Sequence, residues 1–424
     1  MGTRKSFNKA LVTSKIMIED YIFKCSNRIS PSYFTRSGKM GFRETVLFAL
    51  NMVNKSLQLE LNDFFRKVLK RNESISKQTF SENRQKISPK AFIELNDSII
   101  KTIYDKDSKF KLWNGYRLNA IDGSILEIPN TESTQETFGY IKNQNIKKVA
   151  RAKASCIFDV ENKIILKSKI SRCDTSEKDM ALELVSELVK DSSFKELILF
   201  DRGYPSCELI AKLSEWNVKF VMRKAINIFT VGTDPAKKDQ IIKIKYKKKA
   251  YEVRTVRFML ESGIEEILLT NIFEETFKTD DFKKLYFKRW GIEIKYDELK
   301  NRLEIENFTG ITKIAIEQDF YASIYLSNMI ELAREESDEI IQNENQKKDF
   351  KYVYKTNLNI LIGSLKNKLI MLFLEESPRK RNKMYKEIMN EVSKSRIPIR
   401  PDRQNPRNKK LTRGKYTKNH KRCL

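Results

Sequence analysis

The pattern that most constrains this chain runs from residue 116 to residue 222. Three successive apolar stretches, 116–128, 154–160 and 163–170, carry strand signatures. A polar turn follows, then an amphipathic helix over 177–190 and an uninterrupted apolar strand over 196–200. A second helix, 207–216, leads into another strand, 218–222. Strands in succession, followed by helix–strand alternation, predict a mixed sheet flanked by helices.

The flanks differ. Residues 1–110 read as helical and basic, with apolar positions at helical spacing in 42–55, 57–70 and 89–104. Within them, 74–92 has two readings. It is a helix-turn-helix-like piece in which Lys77, Gln78, Arg84 and Lys86 reach DNA, or part of an ordinary helical bundle with a basic surface. Residues 225–275 alternate in strand fashion and carry many lysines. A helix with Thr279 and Asp280 as cap candidates follows, and 312–375 is helical. Three strands and then β-α-β is the order of an RNase H-like core. The expected fold is therefore α/β: an RNase H-like catalytic core in two parts, 111–224 and 276–345, with a β-rich insertion, 225–275. N- and C-terminal helical regions flank it: 1–110, and 346–424 with a basic tail.

Charge narrows the partners. The 424 residues hold 82 Lys and Arg against 56 Asp and Glu, a net charge of +26. That excess points to a polyanion, most often nucleic acid. Between 396 and 424, eleven Lys and Arg face a single acid, Asp402, as in a tail that binds backbone phosphate without sequence preference. No apolar run approaches the ~18 residues of a membrane span, and no signal-peptide core is present. The expectation is a cytoplasmic, nucleoid-associated protein with no membrane partner. Five scattered cysteines without a C-x-x-C pair argue against a zinc site or a disulfide framework. The single histidine, His420, sits in the basic tail, so histidine-based hydrolase, protease and nuclease chemistry is excluded. No G-x-x-x-x-G-K-[ST] segment is present, so a P-loop NTPase is excluded too. Carboxylates, tyrosine, lysine or a metal remain.

Three carboxylates stand out. Asp122 interrupts an apolar strand in L-N-A-I-D-G-S, and Asp201 ends one in L-I-L-F-D-R-G-Y. Alone, each reads equally as a capping or structural aspartate. Glu293 lies in Y-F-K-R-W-G-I-E-I-K-Y-D-E-L-K, residues 286–300. On one helix, Tyr286, Arg289, Glu293 and Lys300 would share an arc of roughly 60°. Such a stripe is either a solvated face or a site combining a metal ligand with phosphate-binding groups. Convergent carboxylates suit two-metal phosphoryl chemistry. Asp297 and Glu298 read as helix-surface charges. Gly291, which costs about 1 kcal/mol inside a helix, reads as a point of close approach by DNA or sheet backbone.

Together these segments resemble bacterial DDE transposases of the insertion-sequence IS-four family. Their signature Y-x2-R-x3-E-x6-K is matched by Tyr286, Arg289, Glu293 and Lys300, and I-D-G-S and F-D-R-G-Y resemble their two aspartate motifs. L-L-T-N, 268–271, resembles the strand leading back from their insertion. The resemblance covers about residues 70–370. It implies that Asp122, Asp201 and Glu293 bind two Mg²⁺ ions, with Mn²⁺ able to substitute, and that Tyr286, Arg289 and Lys300 contact phosphates. It also implies double-stranded DNA partners, namely terminal inverted repeats and target DNA, and a homodimer in the synaptic complex. The expected activity is DNA cleavage at transposon ends and strand transfer. The alternatives are a nuclease of the same fold without strand transfer, and a catalytically inactive DNA-binding remnant. Some relatives hold a flipped base on an aromatic of the insertion. Phe229, Tyr246 and Tyr251 are the candidates here, none preferred.

Overall fold

The structure is a computed structural model that describes residues 6–52, 55–106, 108–142, 148–225, 228–229, 234, 236–347, 350–366 and 368–400. The predicted basic tail from residue 401 onward lies outside them. The strand-first pattern becomes β1 (Arg117–Glu127), β2 (Lys148–Asp159), β3 (Ile164–Arg172), α1 (Glu177–Asp191), β4 (Glu196–Phe200), α2 (Cys207–Glu215) and β5 (Lys219–Lys224). In the sheet they lie in the order β3-β2-β1-β4-β5. β1, β4 and β5 are parallel, and β3 is antiparallel to β2. This is the RNase H-like arrangement expected from the sequence.

Every residue of β4 is buried, as its continuous apolar run requires of a central parallel strand. The one charge in that run, Glu196, is opposite Arg117 of β1 and accepts from its guanidinium. It also accepts from Asn119 Nδ2 at 2.7 Å and from Ser192 Oγ. A buried pair so fully bonded sets the β1–β4 register, because a slip would strand both charges away from water.

The insertion does not form a sheet of its own. β6 (Asp239–Tyr246), β7 (Lys249–Met259) and β8 (Glu265–Thr270) extend the core sheet, with β8 antiparallel to β5 and the order β5-β8-β7-β6. Ile242 and Ile244 point inward while Lys243 and Lys245 face solvent, the period-two pattern of a half-buried strand. Tyr246 and Tyr251 donate to Glu208 and Glu215 of α2 at 2.9 and 2.7 Å. Two of the three aromatics considered for base stacking therefore fasten the sheet to a helix.

The signature segment forms two helices rather than one. α3 (Thr279–Phe287) ends before Lys288, and α4 (Trp290–Asn301) begins after Arg289. Around the break the backbone tightens to i→i−3 bonds, from Arg289 N to Tyr286 O and from Ile292 N to Arg289 O. The single helix expected from the sequence is thus interrupted at Lys288 and Arg289.

These elements belong to one compact unit, Phe110–Leu126 with Ala152–Asp297. The other unit comprises the chain up to Lys109, Glu127–Arg151 and the chain from Glu298 on, and is mainly helical. In it, the 74–92 segment does fold as helix, turn and helix: Lys77–Arg84, N-capped by Ser76, then Lys90–Ile103. Arg84, however, turns inward and is 2% exposed. Its Nε donates to Gln318 at 2.9 Å and its Nη2 to Ala315 O and Asp319 at 2.9 and 2.7 Å. Its Nη1 donates to Thr309. Arg84 is therefore a buried tie to the helix Lys313–Lys347 and does not reach DNA, which corrects that part of the helix-turn-helix reading. Lys77 and Gln78 remain exposed. Among the described residues no helix is long and apolar enough to cross a membrane.

This unit generates two stability predictions. Arg84→Ala removes the bonds to Gln318, Ala315 and Asp319 and leaves an unfilled space, while Asp319 keeps its bond from Thr309 N at 2.6 Å; it should lower unfolding free energy by about 3 kcal/mol in chemical denaturation. The second concerns Glu336, which accepts from Phe7 N at 3.0 Å and from the Tyr385 hydroxyl at 2.7 Å. Burial, reinforced by Glu339 and Glu335, pushes its carboxyl up to about 7. A raised carboxyl favours the fold when protonated, so this stabilisation is present at acid pH and is lost as pH rises through about 7. Glu336→Gln should flatten the fall in Tm between pH 5 and pH 8 relative to the parent protein.

Candidate active site

The β1–β4 register pairs Ala120 with Leu199. Two residues further along each strand come Asp122 and Asp201. Equal steps along parallel neighbours put both carboxylates at the same level and on the same face. This is the carboxyl end of β4, where open α/β sheets carry their ligands. Asp122 Oδ1 accepts the Gly123 N–H at 2.8 Å. Burial pushes its carboxyl up to about 6, against the Gly123 bond and Arg289 and with help from Asp201 and Glu177.

Glu293, on the first turn of α4, is linked to Asp122 through Arg289. Two hydroxyls, Tyr296 Oη of α4 and Ser155 Oγ of β2, donate to the Asp122 carbonyl at 3.0 and 3.3 Å. The Tyr296 bond fastens α4 to β1 one turn beyond Glu293. Gly291 explains how close the helix can come. A Cβ there would lie 3.3 Å from Val160 Cγ1 and 3.5 Å from Phe158 Cε1. Of the two reasons the sequence offered for this glycine, approach to the sheet is the one seen, through side chains rather than backbone.

Arg289 links the carboxylates. It is 6% exposed, and its Nη2 donates to Glu293 Oε1 at 2.7 Å while its Nη1 stands 3.8 Å from Asp122 Oδ2. Its buried Nε has no acceptor. Tyr286 is also buried, and its phenol donates to the Phe200 carbonyl at 3.3 Å, on the residue before Asp201. Burial first, with Asp201 adding to it, holds that phenol well above its usual range. Tyr286 thus fixes α3 to the end of β4.

The fourth signature residue belongs to the other compact unit. Lys300 lies on the last turn of α4, past the unit boundary between Asp297 and Glu298, and its Nζ is 3.6 Å from Glu306. Glu298 pairs with Arg334 at 3.0 Å, and Asp297 is exposed.

Two residues that the sequence did not single out belong to this neighbourhood. Glu177, the first residue of α1, lies over Gly123 and within electrostatic reach of Asp122. Tyr204 is 1% exposed, and its hydroxyl has no partner. Burial, with Asp122, Glu177 and Asp201 adding to it, holds that hydroxyl well above its usual range. The available signals were slight: a glycine directly after Asp122, and the tyrosine of D-R-G-Y.

An all-carboxylate donor set is hard and suits Mg²⁺ or Mn²⁺. Asp122, Asp201 and Glu293 share Arg289 as a counter-ion. The donor chemistry suits a divalent cation, but the spacing of the side chains does not. Among the described residues no three acidic, Cys or His side chains stand close enough to ligate one ion, and the Arg289 guanidinium lies between Asp122 and Glu293.

The family described as Transposase DDE domain matches residues 113–329. No curated protein matches the chain. Among solved structures, it is similar to piggyBac transposase in a cryo-EM structure of a synaptic complex with hairpin DNA, with 13% identity and a TM-score of 0.48 over 95% of this chain and 88% of that one. The family match spans both aspartate strands and the Tyr-Arg-Glu-Lys signature, and the chain belongs to the transposase DDE-domain family.

Proposed function

We propose that this protein is an active DDE transposase that cleaves DNA at transposon ends and transfers the freed strand into target DNA. The observation that supports the reading is the β1–β4 register, which sets Asp122 and Asp201 two residues past the Ala120–Leu199 pair, with Glu293 linked to Asp122 through Arg289. Asp122, Asp201 and Glu293 would hold two Mg²⁺ ions, with Mn²⁺ able to substitute. When bound, such ions neutralise charge at the phosphate and make water or a 3′-hydroxyl a competent nucleophile.

The chain's own groups supply the rest. Arg289 is buried, forked and already aimed into the carboxylate cluster, so it suits the oxygens of a phosphate entering there. Tyr286 is a neutral donor at the end of β4, and Lys300 is a cation suited to a backbone phosphate. Aspartate and glutamate carboxylates on a sheet and a docked helix hold their positions without histidine, which the described residues lack. We assign the helical region 1–110 and the basic tail to DNA backbone binding, and expect a homodimer when two ends are paired.

Glu293→Gln should lower Mg²⁺-dependent cleavage of end-containing DNA more than about a hundredfold while leaving end binding largely intact. Cleavage at the parent rate would refute the assignment. Pre-cleaved ends should be joined to a target plasmid by the parent protein. Cleavage without any joined product would favour the nuclease reading. Removing residues 401–424, which carry nine Lys and Arg, should make the fall of log K with log salt shallower, by up to about 0.9 for each phosphate the tail neutralises. An unchanged slope would exclude the tail as a phosphate binder.

A further inference from the structure

The hairpin of β6 and β7 ends in a turn whose residues contradict its shape. Tyr246 pairs with Lys249, so the loop between them has two residues, Lys247 and Lys248. Loops of this length favour Asn-Gly, Asp-Gly or Gly-Gly, because their backbone enters the left-handed region. Lys247 sits there, at a φ of 53°. A lysine is strained in that region, and its side chain offers no local hydrogen bond in return. The turn therefore holds lysine where the fold alone favours asparagine or glycine.

More cations surround it. Lys243, Lys245, Lys247, Lys248 and Lys249 are all exposed. Lys243 and Lys249 stand 3.7 and 3.8 Å from Glu252 and Glu215. Lys245, Lys247 and Lys248 have no ion pair among the described residues, and Lys247 lies over the Tyr246 ring at 5.2 Å. β6 is an edge of the sheet, and lysines on an edge strand also block pairing with another chain. That accounts for Lys243 and Lys245, but not for Lys247 and Lys248, which lie beyond the last strand pair.

Two phenols fix where this charge is held. Tyr246, next to the turn, donates to Glu208 on the first turn of α2, and Tyr251, farther back, donates to Glu215 at its end. The hairpin therefore runs beside α2 with its tip at the start of that helix, the end that follows Asp201 and β4. Exposed ammonium groups without counter-ions suit phosphate oxygens, which they meet as point charges.

We propose that Lys245, Lys247 and Lys248 form a contact for the phosphate backbone of duplex DNA, independent of base sequence, at the end of the sheet that carries Asp201. The proposal rests on the reading of DNA as this protein's substrate.

The test measures binding of the full-length protein to two duplexes of equal length, one carrying the transposon end and one unrelated. Fluorescence anisotropy is followed across a salt series without divalent metal, with Tm measured in parallel. The turn variant Lys247→Asn with Lys248→Gly gives the loop its favoured residues and removes two charges. It should weaken binding to both duplexes about tenfold at about 0.1 M salt, and make the fall of log K with log salt shallower by about 1.8. Its Tm should rise. Lysines with a structural role alone would lower Tm when replaced and leave the salt slope unchanged. The charge-keeping variant Lys247→Arg with Lys248→Arg should bind like the parent. Parent-like affinity and slope in the turn variant would overturn the proposal and leave the wider reading standing. A loss confined to the transposon-end duplex would overturn it too, because a backbone contact reads no sequence. A parent protein that binds neither duplex would overturn the DNA reading and this proposal with it. Should the turn variant fail to fold, Lys245→Gln decides the question, with an expected slope change of about 0.9 and no change as the contrary result.

Discussion

Charge balance around Arg289 is the constraint on which the site depends. The sheet and its helices hold several carboxylates near one another with that guanidinium among them. Like charges held this close repel strongly in a partly buried setting. The fold must therefore be rigid at these points, and the hydrogen bonds show where it is. Arg117 with Glu196 sets the strand register, Tyr296 ties α4 to β1, and Tyr286 ties α3 to the end of β4. Each acts on backbone or on a buried ion pair, so the acidic side chains are left for chemistry.

The break between α3 and α4 follows the same logic. A straight helix would keep Tyr286, Arg289, Glu293 and Lys300 in one stripe. The break instead puts Tyr286 and Glu293 on separate helices, tied to the sheet at Phe200 O by Tyr286 and at Asp122 O by Tyr296. Gly291 lets α4 close against Phe158 and Val160. The signature spacing therefore encodes two docked helices and a buried arginine, more than a helix face.

Much of this was legible in the sequence. The strand order and the helices between strands follow from the apolar runs; Asp122 and Asp201 stand out as single acids within or at the end of such runs, because a central strand tolerates a charge only with a partner, and Glu293 stands out from the Tyr-Arg-Glu-Lys spacing. Three features were not legible, each for a physical reason. Arg84 looked like a DNA-binding residue because a basic side chain's burial depends on tertiary acceptors such as Gln318 and Asp319, more than 230 positions away. The pairing of the insertion was not legible, because strand partners leave no mark in local periodicity; β8 pairs with β5. Glu177 was invisible because its link to the site is a steric one, read only from the space over Gly123.

The central claim is that these carboxylates hold divalent ions and that Arg289 is their counter-ion until they do. Anomalous diffraction from crystals of the protein with a cleaved transposon end and Mn²⁺ tests it most directly. The account predicts manganese peaks bounded by Asp122, Asp201 and Glu293, with the Arg289 guanidinium moved off Glu293 and onto a phosphate oxygen. Manganese bound elsewhere, with Arg289 still bridging Asp122 and Glu293, would contradict it.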